Sequence, residues 1–84
     1  MTDAHGLDAG VSVAEATRLI GQTFRLAGIE EPEIDARALL GHALNLERAQ
    51  LLSHSERILD AHEAATISAF AARRLKREPV SRII

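Results

Sequence analysis

The residues of this chain that could move a proton, hold a metal or attack a carbon are few, and their spacing suits none of those tasks. Histidine occurs four times, at His5, His42, His54 and His62. A helical zinc site needs two ligands stacked one turn apart, as in His-Glu-x-x-His, and no pair here is so placed. Glu30, Glu31, Glu33 and Asp35 crowd together and could suggest a metal or acid–base cluster. They stand where a helix should begin, however, and acids gather there to complement the helix dipole. Asp35 alone falls within a helical turn rather than before it, which keeps it in view. Ser53-His54-Ser55 has the residue types of nucleophilic catalysis, but sequence neighbours cannot all face one another as a triad does. The five glycines are isolated, with no G-x-G pair to cradle a phosphate. The Asp-Ser-Leu helix start of a phosphopantetheine carrier is absent. No catalytic, cofactor-binding or metal-ligating residue is therefore assigned.

Charge offers a different kind of candidate. Arg73-Arg74-Leu75-Lys76-Arg77 is the densest run of cations. Its bland reading is solubility and a favourable charge at a helix C-terminus. Its functional reading is a contact patch for an acidic protein or an RNA surface. Arg48, Arg73, Arg74 and Arg77 are the nominated partner-binding residues, on charge and position alone. No aromatic side chain sits among them to stack a base, so single-stranded RNA is poorly supported.

The elements that must position these groups are helices. Ser12-Val13-Ala14-Glu15 reads as a capping box. Val13, Ala16, Ile20, Phe24 and Ala27 follow at helical spacing, with Leu19 and Leu26 widening the face. Gly28 suits a left-handed cap, which predicts a first helix over 12–27. Pro32 fits the first turn of a second helix over 32–44, with Ile34, Ala36, Leu39, Leu40, Ala43 and Leu44 inward and Asn45 as its cap. Gly41 inside it should cost about 1 kcal/mol relative to Ala. A short third helix spans 46–53, and Ile58 or Leu59 should tuck under the connection after it. Asp60 and Glu63 form a second capping box opening the last helix, whose stripe is Ala64, Ile67, Ala71 and Leu75 with Phe70 beside it. Pro79 ends that helix. The fold class is all-α, a small bundle of four main helices with room for a fifth short turn, and with an extended linker start at the C-terminus.

Bulk properties agree. Eighty-four residues make one domain. The apolar share is 46% but aromatics only 2%, so the core must be Leu, Ile, Val and Ala, which favours helix. There is no cysteine, hence no disulfide or thiolate metal site, as suits a cytoplasmic protein. No secretory signal and no apolar run of membrane length is visible. The net charge of −2 argues against nucleic acid as a general partner. The last residues, Glu78-Pro79-Val80-Ser81-Arg82-Ile83-Ile84, run apolar to the end without cap or polar tail, which reads as one lobe of a longer protein.

With that segment in place the chain resembles the N-terminal domain of the HemK/PrmC family, methyltransferases that modify a glutamine of class I peptide chain release factors. Asp35-Ala36-Arg37-Ala38-Leu39-Leu40 resembles the family's Asp-Ala-x-x-Leu-Leu. Leu44 with Arg48 to Leu52 resembles its short third helix. Arg73-Arg74 with Glu78-Pro79-Val80 resembles the Arg-Arg…Glu-Pro-Ile/Val stretch before the catalytic domain, and Ser81-Arg82-Ile83-Ile84 departs from an aromatic-containing run at Arg82. The resemblance implies a tail over 1–11, a helical substrate-recognition domain over 12–78, and the start of a linker over 79–84. It further implies a parent enzyme that uses S-adenosylmethionine to methylate the glutamine of a Gly-Gly-Gln loop. The family's Asn-Pro-Pro-Tyr is missing here, for the chain has no tyrosine. The lobe alone would be inactive, with the release factor and its own C-terminal catalytic domain as partners. A free-standing helical interaction module is the alternative. A helix-turn-helix nucleic-acid binder is a third option, without the polar, basic reading face such a motif needs.

Overall fold

Five helices follow one another in the computed structural model, which describes residues 7–84: α1 (Val13–Leu26), α2 (Pro32–Leu44), α3 (Arg48–Ser53), α4 (Ala61–Leu75) and α5 (Val80–Ile83). His5 and the first six residues of the expected tail lie outside the described residues. Of the remainder of that tail, Leu7 donates its N–H to Ser68 Oγ at 2.8 Å, and Leu7 and Val11 pack on the core.

Each start is explained by local chemistry. Ser12 Oγ accepts from the Glu15 N–H at 3.1 Å. Glu15 does not complete the box, because its carboxylate reaches Arg18 instead. Asp60 and Glu63 cap each other's backbone reciprocally, at 2.8 and 3.1 Å. The third helix begins at Arg48 rather than Leu46, with Gln50 Oε1 accepting from the Glu47 N–H.

Three helices end alike. In each, a left-handed residue turns the chain, and the N–H after it bonds back five residues into the helix, a Schellman closure. Gly28 (φ 82°) does this for α1, with Ile29 N–H on Phe24 O. Asn45 (φ 57°) does it for α2, with Leu46 N–H on Gly41 O, and Arg77 (φ 72°) for α4, with Glu78 N–H on Arg73 O. Beyond Pro79 the extended start of a linker gives way at once to the turn of α5. Its N–H groups fold back on the Pro79 carbonyl and place Ile83 in the core. The expectation of an extended segment here is corrected accordingly: burying Ile83 outweighs the extended preference of Val80 and Ile83.

Phe24, Ile20, Leu39, Leu40, Leu59, Ile67 and Val13 are fully buried and join α1, α2 and α4 into one core. Truncating Phe24 to Ala should remove about 3–5 kcal/mol. Two expected core positions face out: Leu26 is 82% and Ile34 53% exposed. Of the two candidates for tucking under the connection, Leu59 is the buried one and Ile58 is exposed.

The first turn of α1 is held from a distance. Val13 and Ala14 donate their N–H groups to Arg57 O and Ser55 O, both at 2.9 Å. Leu59 N–H bonds Val11 O, Gly10 N–H bonds Leu59 O, and Ser12 pairs with Ile58 in an isolated antiparallel bridge. Donors that a helix leaves orphaned at its start are thus satisfied by the α3–α4 connection.

Gly41 has a packing reason. A Cβ there would lie 2.8 Å from the Leu46 carbonyl oxygen, a backbone atom that the α2 closure holds in place. At Gly21 a Cβ would make only ordinary contact with Glu33, at 3.8 Å. The same substitution should therefore act with opposite signs. Gly41→Ala is expected to lower stability by about 1–2 kcal/mol, the clash outweighing the gain in helix propensity. Gly21→Ala should raise it by up to about 1 kcal/mol. Urea unfolding followed by circular dichroism reads both.

Candidate partner-binding surface

One side of α1 is left without a covering helix. Ala14, Thr17, Arg18, Gly21 and Arg25 recur there at three- and four-residue spacing and form a wall. Glu33 and Arg37 of α2 supply the floor, and Arg48, Leu51 and Leu52 of α3 the opposite wall. The groove between them holds about 760 Å³. Gly21 keeps it wide, and Val13 and Ser55 bring to its end the clasp that fixes α1. A smaller hollow of about 280 Å³ adjoins it, lined by Ile34, Ala38, Gly41 and Leu46. Arg37, Arg48 and Leu51 line both, forming the ridge between them.

Charge in the groove is one-sided. Four guanidinium groups, those of Arg18, Arg25, Arg37 and Arg48, face a single carboxylate, Glu33, in a chain whose net charge is −2. Arg25 pairs with Glu33. Arg18 pairs with Glu15 just outside at 2.6 Å, and that hydrogen bond holds the Glu15 carboxyl below the ordinary glutamate value. Arg37 and Arg48 have no ion-pair partner among the described residues. Leu26 and Leu52, 82% and 74% exposed, add large apolar surface to the walls. Among the described residues, no histidine lines the groove. The arrangement can recruit carboxylate or phosphate oxygens through guanidinium forks and bury aliphatic carbon beside them.

The nominated arginines fall into two groups. Arg73, Arg74 and Arg77 come together where α4 ends, each with a partner inside the chain. Arg73 makes a two-pronged contact with Glu78 at 2.8 and 3.1 Å. Arg74 Nε donates to Asp35 Oδ2 at 3.0 Å and its Nη1 to Glu78 O. Arg77, in its left-handed turn, donates to Ala27 O at 2.8 Å. Together they tie the end of α4 to the end of α1 and the start of α2. Arg48 belongs to the groove instead. Sequence reasoning passed over Arg18, Arg25 and Arg37, although Arg18 and Arg25 stand two turns apart on one face. What it lacked was the knowledge that this face has no covering helix.

The other candidates have structural surroundings. Asp35 is the partner of Arg74, the two side chains 16% and 19% exposed. His42 packs beside Phe70, ring centroids 6.0 Å apart. His54 Nδ1 lies 2.8 Å from Gln50 O and 3.2 Å from Ser53 Oγ at the end of α3. Among the described residues no group of three or more His, Cys, Asp or Glu side chains could hold a metal ion, and no helix is long and apolar enough to cross a membrane.

Comparison with known proteins places these observations. The profile described as the PrmC N-terminal domain matches residues 15–84. A release factor glutamine methyltransferase of Bradyrhizobium diazoefficiens is 43% identical over 75 residues, covering 89% of this chain and 25% of that protein. One of Rhodospirillum rubrum is 45% identical over 60 residues, 71% of this chain and 18% of the relative. A bifunctional methyltransferase of Rickettsia bellii is 39% identical over 57 residues, 68% of this chain and 10% of the relative. The chain thus spans a quarter or less of the length of these relatives. No solved structure matches it.

Two measurements follow from the α4 end. Asp35→Ala and Arg74→Ala should each lower stability by about 1–3 kcal/mol, since each leaves a half-buried charged partner unpaired. The double variant should be much less destabilised than the sum, read as coupling in a double-mutant cycle. The Arg73 hydrogen bond also holds the Glu78 carboxyl below the ordinary glutamate value. A lowered folded value contributes stability that is full above the unfolded value of about 4.3 and is lost as the pH falls through the folded one. Glu78→Gln should therefore weaken the acid-side decline of the thermal midpoint.

Proposed function

The chain belongs to the PrmC N-terminal domain family, and on that premise we propose that it is the substrate-docking lobe of an S-adenosylmethionine-dependent methyltransferase. The target of that enzyme is the side-chain amide of glutamine in the Gly-Gly-Gln loop of class I peptide chain release factors. The lobe comprises residues 12–78, and residues 79–84 begin the connection to a catalytic domain. The names of the relatives, release factor glutamine methyltransferases at 43–45% identity, are the observation that carries the reading.

The physical chemistry of the described residues agrees with docking rather than reaction. An amide nitrogen is a poor nucleophile, and methylating it calls for groups that orient and polarise the amide. The lobe presents no histidine or free carboxylate in its groove that could accept the departing proton. The methyl donor does not fit here either. Its sulfonium is a cation, and the groove carries four guanidinium groups against one carboxylate already paired to Arg25. On this reading the donor is held by the catalytic domain. The contribution left to this lobe is to hold a large protein substrate so that its loop arrives in the right orientation, an entropic contribution to rate.

Removing the lobe from the full-length methyltransferase tests this. The expected result is a KM for intact release factor raised roughly tenfold or more, with the rate on a short Gly-Gly-Gln peptide little changed, because uniform binding energy is what is lost. An unchanged KM for intact release factor would defeat the proposal, and would favour a separate interaction role for the module.

A further inference from the structure

We propose that the groove between α1 and α3 is where the lobe grips its partner, and that its occupant is an acidic segment of the protein substrate carrying apolar side chains between its carboxylates. The inference rests on the docking role proposed above and adds the surface and the chemistry of what it recognises.

Three observations carry it. First, two uncompensated cations stand together on a groove. Arg37 and Arg48 share the ridge between the two hollows, and neither has an ion-pair partner among the described residues. The basic run at the end of α4 is richer in sequence, yet Arg73, Arg74 and Arg77 are all bonded within the chain. Lys76 and Arg82 have no ion-pair partner among the described residues either, but neither lines a hollow; the unpaired cations that do are Arg37 and Arg48. Second, Leu26 and Leu52 stand in the groove walls at 82% and 74% exposure. A small domain gains nothing from such exposure, and patches of this kind mark interaction sites. A segment with only charges, such as a phosphate backbone, would leave that carbon wet. The groove has no aromatic residue to stack a base, and the chain is net negative. Protein carboxylates are thus favoured over nucleic-acid phosphates. Third, α5 packs on α4 and α2, and none of its residues lines the groove. Among the described residues, the C-terminal segment therefore does not cover this surface.

The shape sets the mode. A segment crossing the ridge would set carboxylates on Arg37 and Arg48 while its apolar residues drop to Leu51 and against Leu26 and Leu52. The charged contacts steer association and fix register, and the leucines slow departure.

Calorimetric titration of the 84-residue chain with a purified class I release factor tests this. Arg37→Glu/Arg48→Glu breaks no ion pair of the folded chain, so the thermal midpoint should move little. Its Kd should rise roughly tenfold or more, and the salt dependence of binding should flatten. Lys76→Glu/Arg82→Glu changes net charge equally without touching the groove, and should leave Kd within about twofold once salt screens distant charge. Leu26→Ser/Leu52→Ser should weaken binding with the salt dependence intact. Equal losses in the two charge-reversed doubles, or none in the Arg37/Arg48 pair, would overturn the groove while leaving the docking role standing. Failure of the unaltered chain to bind release factor would count against that role itself. Transfer RNA bound in place of release factor, and lost on Arg37→Glu/Arg48→Glu, would show a phosphate-binding groove and overturn the acidic segment.

Discussion

The start of α1 is held by carbonyl groups from the α3–α4 connection, and most of the molecule depends on that clasp. Helices leave their first N–H groups without partners. Here Val13 and Ala14 find theirs on Arg57 and Ser55, while Ser12 satisfies Glu15. These backbone bonds fix where α1 starts, while burial of its apolar side chains against α2 holds it in place. With α1 fixed at this end and α2 packed along its length, Val13, Ile20 and Phe24 are committed to the interior. The opposite side of α1 is left to form a groove wall. The groove is thus a by-product of how the fold closes. Seven of its lining residues are leucines or arginines, and of these only Leu51 is buried.

How much of this was legible in the sequence differs by element. The ranges of α1 and α2 and the start of α4 followed from caps and apolar spacing, because Ser12, Gly28, Pro32, Asn45 and Asp60 act within one turn of their own position. Local signals of that kind survive folding. The end of α4 did not follow from them, for the helix stops at Leu75 and turns at Arg77 before Pro79 is reached. Where the outcome turned on distant groups, the sequence was silent or misleading. Leu26 lies on the apolar side of a helical wheel, yet no partner helix reaches it. Val80 and Ile83 have β-branched side chains suited to a strand, yet the fold offers Ile83 a buried site and the segment coils to reach it. Gly41 reads as a weakness in α2 until the Leu46 carbonyl is seen against it.

The arginines show the same division in functional form. A dense basic run drew attention to the end of α4, but density says nothing about who holds each charge. Glu78, Asp35 and the Ala27 carbonyl hold three of those guanidinium groups, and the run serves to fasten the ends of α4, α1 and α2. Arg37 and Arg48, scattered in sequence, are the pair left free on the groove ridge. Free charge beside exposed leucine is the surface proposed to meet a partner. On the docking role proposed above, that partner would be the protein substrate of the methyltransferase. Docking by such a surface would order a bulky protein substrate while leaving the bond-making to another domain.

The most direct test of this account is a nitrogen-labelled sample of the chain titrated with unlabelled class I release factor and followed amide by amide. The predicted result is that shifts and broadening concentrate on the groove residues of α1 and α3, from Thr17 to Leu26 and from Arg48 to Ser55, with α4 little affected. Perturbations confined to the end of α4 around Arg73 and Arg77, with the groove amides unmoved, would contradict it.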